Sequence, residues 1–184
     1  MIATATQYKI DAAHSSATFA VAHLGISKVR GEFADVQGVI RYDPADLAAS
    51  KLEAVIGVAS ITTRDEGRDN HLKSADFFDT EKFPTMTFVS TKVEPAGEDR
   101  LKVTGNLTIR DVTKQVVLDV EGPTGEIKDP WGVFRRAASA RTVISRKDFG
   151  MTWNSLLETG GLLVGDKVEI SLEVEMIAQT ESDT

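Results

Sequence analysis

Apolar and polar residues alternate with a period of two along most of this chain, most cleanly in Lys167–Met176. Val168, Ile170, Leu172, Val174 and Met176 share one face there, and Lys167, Glu169, Ser171, Glu173 and Glu175 share the other. Successive side chains of a strand point to opposite faces, so this pattern predicts a strand buried on one side. The same rule selects Leu101, Val103, Leu107 and Ile109; Val116, Leu118 and Val120; Leu52, Ala54, Ile56 and Val58; Met86 and Phe88; and Ala17, Phe19 and Val21. Gly31–Tyr42 and Arg135–Ser145 are also strand-like. Gly31 and Gly38 inside the former are expected to mark bulges or bends. Val and Thr each outnumber Leu, which adds to the bias, because β-branched side chains fit a pleated surface.

Three segments break the alternation. Asp43-Pro44-Ala45-Asp46-Leu47-Ala48-Ala49 predicts a short helix with an Asp cap and Pro in its first turn. Thr63-Arg64-Asp65-Glu66 reads as a capping box opening a helix to about Ala75, with Arg68, His71, Leu72 and Ala75 inward. Gly150–Gly165 is expected to be a loop with one helical turn. The strands are joined by short links such as Pro95–Asp99, Arg110–Thr113 and Lys128–Pro130, which favour antiparallel neighbours. The expected fold is all-β: an extended eight-stranded antiparallel barrel, closed so that it has no edges. One α-helix is inserted between a strand ending near Val58 and one beginning near Thr85. A barrel of that size either fills with side chains or holds one small ligand. The inward positions Ala17, Ala54, Gly105, Ala138 and Ala140 are small, which points to an elongated apolar cavity. No repeat, low-complexity tract or linker divides the chain. One domain over 1–184 is expected, with a core of about 7–177 and a fraying tail from Gln179 to Thr184.

Composition narrows the function more than the fold. The 184 residues include 28 acidic and 21 basic side chains, a net charge of −7, the wrong sign for a phosphate-backbone binder. There is no cysteine, hence no disulfide, thiolate metal site or cysteine nucleophile. Met1–Ile10 has neither a basic n-region nor an apolar h-region, and no apolar run approaches the ~20 residues that cross a bilayer. As written, the chain is expected in the cytoplasm, or in the periplasm if a signal has been removed.

Catalytic chemistry finds little support. His14, His23 and His71 form no His-x-His or His-Glu-x-x-His motif and are expected to tether elements by hydrogen bonds. There is no Gly-x-Ser-x-Gly elbow, no phosphate-cradling glycine loop, and no carboxylate inside an apolar run. No catalytic residue, metal or cofactor is expected. Arg68-Asp69 and Arg146-Lys147-Asp148 read as ion-pair networks pinning element ends, or as a polar collar at a cavity mouth. Phe77, Phe78 and Phe83 form one aromatic group, and Phe149, Trp153 and Trp131 a second. Phe19, Val21, Ile56, Phe88, Leu107, Leu118, Ile144 and Leu172 are expected along the cavity wall, with Phe149 and Trp153 at its entrance. A ten-residue strand spans about 33 Å, which sets the length of such a cavity.

Ordered motifs carry a family resemblance. They begin with Asp11-Ala12-Ala13-His14-Ser15, Phe19-x-Val21-x-His23-x-Gly25 and Val29-x-Gly31-x-Phe33. Ser60-Ile61-Thr62-Thr63, Arg68-Asp69-x-His71-Leu72, Asp76-Phe77-Phe78-Asp79 and Phe83-Pro84-x-Met86-x-Phe88-x-Ser90 follow. Gly105-x-Leu107-Thr108-Ile109, Arg146-x-Asp148-Phe149-Gly150 and Val164-Gly165-Asp166-x-Val168 complete the set. Over about residues 7–177 the chain resembles the YceI-like polyisoprenoid-binding proteins. It departs at Asp111, where the family often has glycine, and in lacking the export signal of many relatives. The resemblance implies a lipocalin-like barrel that binds, transports or stores a polyprenyl or isoprenoid-quinone tail. A fatty acid or fatty amide is the alternative cargo, and a metal- or His-dependent enzyme acting on a lipid the alternative activity. The implied partner is a long-chain lipid rather than a nucleic acid; transient membrane contact and a homodimer stay open.

Overall fold

The structure, a computed structural model, describes residues 5–158 and 160–179. Its strands are β1 (Thr6–Ile10), β2 (Ser16–His23), β3 (Ser27–Phe33), β4 (Val36–Tyr42), β5 (Lys51–Gly57) and β6 (Ile61–Thr62). They continue as β7 (Thr85–Pro95), β8 (Arg100–Ile109), β9 (Val112–Glu121), β10 (Ile127–Lys128), β11 (Phe134–Ser145) and β12 (Val164–Ala178). The one α-helix among the described residues, α1, is Glu66–Lys73.

Eight strands close an antiparallel ring in the order β1, β4, β5, β7, β8, β9, β11, β12 and back to β1. β12 is long enough to carry two partners on one edge: β2 along Val164–Glu173 and β1 along Met176–Ala178. β1 and β2 therefore behave as one strand broken by the 3-10 turn Ala12–His14. The β2–β3 hairpin extends the wall at the β12 N-terminal end, where β6 adds a short rung to β3. All pairings in the ring are antiparallel, as the short links require.

Several local expectations are corrected. Gly31–Tyr42 is two strands, with the break at Ala34–Asp35. Gly31 is no bulge: it pairs with Phe19, and a Cβ on it would lie 2.4 Å from the Phe19 ring. Gly105 plays the same part for Phe88, so both glycines make room for a ring crossing the neighbouring strand. The register shifts instead fall at Ser90/Lys92 and Val164/Val168. In the 43–49 segment the cap is Asp46, on a 3-10 turn Leu47–Ala49, while Asp43 Oδ1 accepts from the Ala45 and Asp46 N–H groups in a preceding turn. In α1 the cap is Asp65, which accepts from the Arg68 N–H at 2.8 Å, rather than Thr63. The helix ends at Lys73, leaving Ala75 exposed beyond it. The helical turn expected within Gly150–Gly165 lies just before it, at Arg146–Phe149. In the β8–β9 turn the left-handed residue is Arg110, φ 57°, rather than Asp111. Gln179 is tied to Gln7 by a backbone bond of 2.8 Å, and the rest of the expected fraying tail lies outside the described residues.

A polar network fastens the β1 end. Arg135 donates to Asp11, Asp129 and Glu175 at 2.6–2.8 Å. His14 Nδ1 lies 2.9 Å from Asp11. The hydrogen bond to His14, then that to Arg135, lowers the Asp11 pKa to about 2. Tyr8, 1 % exposed, donates its hydroxyl to Glu126 at 2.7 Å and accepts from Arg136 at 2.9 Å. Asp11, His14 and Glu175 could each offer an atom to one cation, but the Arg135 guanidinium already lies between the two carboxylates.

Candidate ligand cavity

The barrel is hollow along its axis. Inward residues of all eight ring strands surround a cavity of about 400 Å³, within the range of small-molecule sites. Val168, Ile170, Leu172, Val174 and Met176 all line it, as do Leu101, Val103, Leu107 and Ile109. The period-two pattern thus assigned the inward face of these strands correctly. Val168, Ile170, Leu172 and Leu107 are only half-buried although they line the cavity; Leu107 and Leu172 also pack against the buried cluster, whereas Val168 and Ile170 do not. On the β7–β8–β9 side the wall is also the core: Met86, Phe88, Val93, Val103, Val116 and Leu118 are buried in one cluster with Val58, Ile61 and Phe149, which lie behind the lining.

Polar lining groups concentrate at the two ends. Arg41, Tyr42, Ser50 and Lys51 stand at the β1 end, and His23, Arg68, His71 and Arg146 at the α1 end, with the hydroxyl residues Ser16, Thr18 and Thr142 between. Arg68 and Asp69 do not pair with each other. Asp69 Oδ1 accepts from the Thr63 N–H and hydroxyl, and Arg68 donates to the Thr63 Oγ1 and carbonyl at 2.8 and 2.9 Å. This anchors α1 against the barrel and leaves Arg68, His71 and Leu72 along the cavity.

Arg146 is 3 % exposed; it shares Asp166 with Lys147, as the ion-pair reading expects, and is at the same time a clamp on backbone carbonyls. Its guanidinium donates to the carbonyls of Gly165, Met151 and Trp153 at 2.7–2.8 Å, with longer contacts to the Val164 carbonyl and Asp166. Burial lowers its pKa; the carbonyl dipoles stand in for water around the charge. Lys147 pairs with Asp166 from outside at 2.8 Å. The effect is to fold the 151–163 loop over the cavity end, where Trp153 meets the His71 ring edge-on at 4.6 Å and Phe77 at 5.5 Å. His71 is further held by Asp76 at 2.8 Å. The three histidines thus have separate settings: His14 on Asp11, His71 on Asp76, and His23 on the cavity wall.

Of the ten residues expected at the cavity, Phe19, Val21, Ile56, Phe88, Leu107, Leu118, Ile144, Trp153 and Leu172 line it. Phe149 does not. It is 1 % exposed within the packed core, because the turn it ends directs its ring under the wall. Trp131 is 83 % exposed on the β10–β11 hairpin and joins neither Phe149 nor Trp153. Sequence reasoning missed Tyr42, Pro123 and Leu163. They come from loops or strand ends where no periodic signal exists.

With this geometry in view, comparison with known proteins is decisive. The sequence model of the YceI-like domain matches residues 8–176. The chain belongs to the YceI-like family. A relative, a UPF0312 protein of Shewanella baltica, is 42 % identical over 153 residues, 82 % of this chain and 80 % of that protein. Among solved structures, BcnA of Burkholderia cenocepacia superposes with a TM-score of 0.77 at 25 % identity, covering 90 % of this chain and 98 % of its own. A domain of Saccharophagus degradans, described as polyisoprenoid-binding and implicated in plant cell wall breakdown, matches with a TM-score of 0.68 at 17 % identity over 94 % and 98 % of the two chains. That last likeness is one of fold alone. No helix among the described residues is long and apolar enough to cross a membrane.

Proposed function

We propose that this YceI-like barrel binds a long apolar chain of the isoprenoid class, such as a polyprenyl or quinone tail, as carrier or store. The observation that carries the reading is the half-buried state of inward apolar residues such as Leu107, Ile170 and Leu172 around the cavity. A chain filling that space removes their surface from water, at roughly 0.8 kcal/mol per buried methylene before ordering costs. The Saccharophagus degradans domain, whose description names polyisoprenoid binding, has the same fold and supports the reading. With apolar walls, selectivity rests on length and shape, and no cofactor is called for.

A fatty acid or fatty amide is the alternative cargo, since a cavity of about 400 Å³ with apolar walls accepts either kind of chain. Native mass spectrometry of protein purified from cells, followed by solvent extraction, tests the reading. An extracted lipid built of isoprene units is the expected result, and a fatty acyl chain would move the assignment to the alternative. Protein that carries no lipid and takes up neither a geranylgeranyl nor a fatty acyl probe would overturn both; stoichiometric zinc would favour a metal-dependent enzyme.

A further inference from the structure

We propose that two loop tips at the His23–Val164 end of the barrel form a docking rim for an electrically neutral lipid bilayer. The proposal rests on the lipid-binding reading above. The tips are the β2–β3 turn, with Leu24 and Ile26, and the 151–163 loop, with Leu156 and Leu162. Ile26 is 84 % and Leu156 82 % exposed, and the two other leucines are exposed as well. The Leu24 N–H donates to the Leu163 carbonyl at 2.9 Å, so the two tips form one surface.

Continuity with the cavity comes first. His23, Leu163 and Val164 line the cavity, and Leu24 and Leu162 are their immediate neighbours in sequence. On the 151–163 loop the apolar wall passes outward into the rim unbroken through Val164, Leu163 and Leu162, whereas on the β2–β3 turn His23 stands between the wall and Leu24. Backbone strain is the second observation. Leu24 has φ 56°, followed by Gly25 at 71°. Asn, Asp or Gly occupies such a left-handed turn position readily, whereas a bulky apolar residue there is uncommon. Here the strain holds an apolar side chain in water, and strained positions concentrate where function needs them.

Size and charge select the partner. A stable protein interface takes about 20–30 residues a side; four side chains on two protruding turns fall far short of a second copy, whereas a bilayer needs no matching surface. The chain carries a net charge of −7, which disfavours an anionic surface. Two of the cations beside the rim are paired, Lys28 with Glu169 and Lys147 with Asp166. Attachment by apolar insertion should therefore be nearly independent of salt. The β10–β11 hairpin offers an internal control: Trp131 is as exposed as Ile26, yet none of Ile127, Trp131 and Phe134 lines the cavity.

The test is flotation of the full chain with phosphatidylcholine vesicles, together with the rate at which it moves a fluorescent geranylgeranyl probe between vesicles. The native protein should float equally at low and high salt. The double variant Ile26→Glu/Leu156→Glu should lose about tenfold in partition per side chain and slow transfer, with probe binding measured without vesicles unchanged. Trp131→Glu should change neither. A native protein that stays in solution, or a double variant that floats as well as the native one, overturns the rim. So does a native dimer that the double variant converts to monomer, because the rim would then join two copies. A native protein that floats but takes no probe in vesicle-free solution sinks the lipid-binding reading instead and leaves the rim standing.

Discussion

Replacing Leu172 by Phe distinguishes a hollow barrel from a packed one. Leu172 pairs with Ala140 on β11 and Ala17 on β2, so the positions flanking it are small, and it lines the cavity. Forcing extra atoms into a filled core costs about 1–3 kcal/mol. At Leu172 the added ring atoms enter existing space, so the cost should stay below about 1 kcal/mol. For a domain of this size that is a shift in Tm of under about 2–4 °C. Val58→Phe is the matched control. Val58 is 1 % exposed in the packed core and should incur the full penalty, read by thermal melting and urea unfolding. The folded Leu172→Phe protein should then prefer shorter chains in a titration with prenyl probes of graded length. Equal destabilisation of the two variants would refute the hollow interior. An unchanged range of bound chain lengths in a folded Leu172→Phe protein would show that Leu172 does not face the ligand. Leu172→Glu should abolish binding, since burying an unpaired carboxylate costs several kcal/mol. Ser171→Glu, one residue away and outward, should change stability by no more than about 0.5 kcal/mol.

Other consequences are as direct. Arg146→Met leaves the carbonyls of Gly165, Met151 and Trp153 without their donor, and urea unfolding should show a loss of about 3 kcal/mol or more; a loss below about 1 kcal/mol would mean that Arg146 is no clamp. Gly105→Ala places a methyl 2.4 Å from the Phe88 ring and 2.7 Å from the Val89 carbonyl. It should cost about 1–3 kcal/mol, part of it recovered in Gly105→Ala/Phe88→Leu if the ring clash dominates; strictly additive losses would argue against that. Asp11 titrates at about 2 when folded against 3.8 ordinarily, so its stabilising contribution is complete above the higher value and disappears as pH falls towards the lower. Thermal midpoints measured from pH about 5 to about 2 should therefore fall less steeply in Asp11→Asn than in the native protein; parallel curves would remove Asp11 from the network.

The wall of this barrel was legible because its cause is local. In β12 a single period of two placed Val168, Ile170, Leu172, Val174 and Met176 on the cavity side, and the neighbouring strands followed the same rule. The closures were harder to read. Thr63-x-x-Glu66 has the form of a capping box, yet Asp65 makes the cap and Thr63 instead receives Arg68 and donates to Asp69. Two oxygen-bearing side chains compete for one helix start, and tertiary contacts decide between them. Arg146 lay in a charged triplet that suggested ion pairing. Its carbonyl partners come from the following loop and the start of β12, and carbonyls leave no trace in side-chain patterns.

The hollow itself required one further step. Alternation is the same whether inward side chains meet one another or surround a void, so no single strand distinguishes the two. The distinction lies across strands: Ala17 and Ala140 flank Leu172, and Ala54 flanks Phe88 on one side while Gly105 lies under its ring. A large inward residue set among small neighbours keeps the wall smooth and leaves the axis open. That arrangement becomes visible only once register is known, because a slip of one residue would turn every one of these side chains to the other face. The small inward residues read from the sequence were therefore a sign of a cavity, and the antiparallel register turned that sign into a geometry. The same logic makes the interior adjustable. Enlarging Ala54, which is half-buried where Ala17 and Ala140 are buried, should shorten the chain that fits without disturbing the ladder that carries the wall.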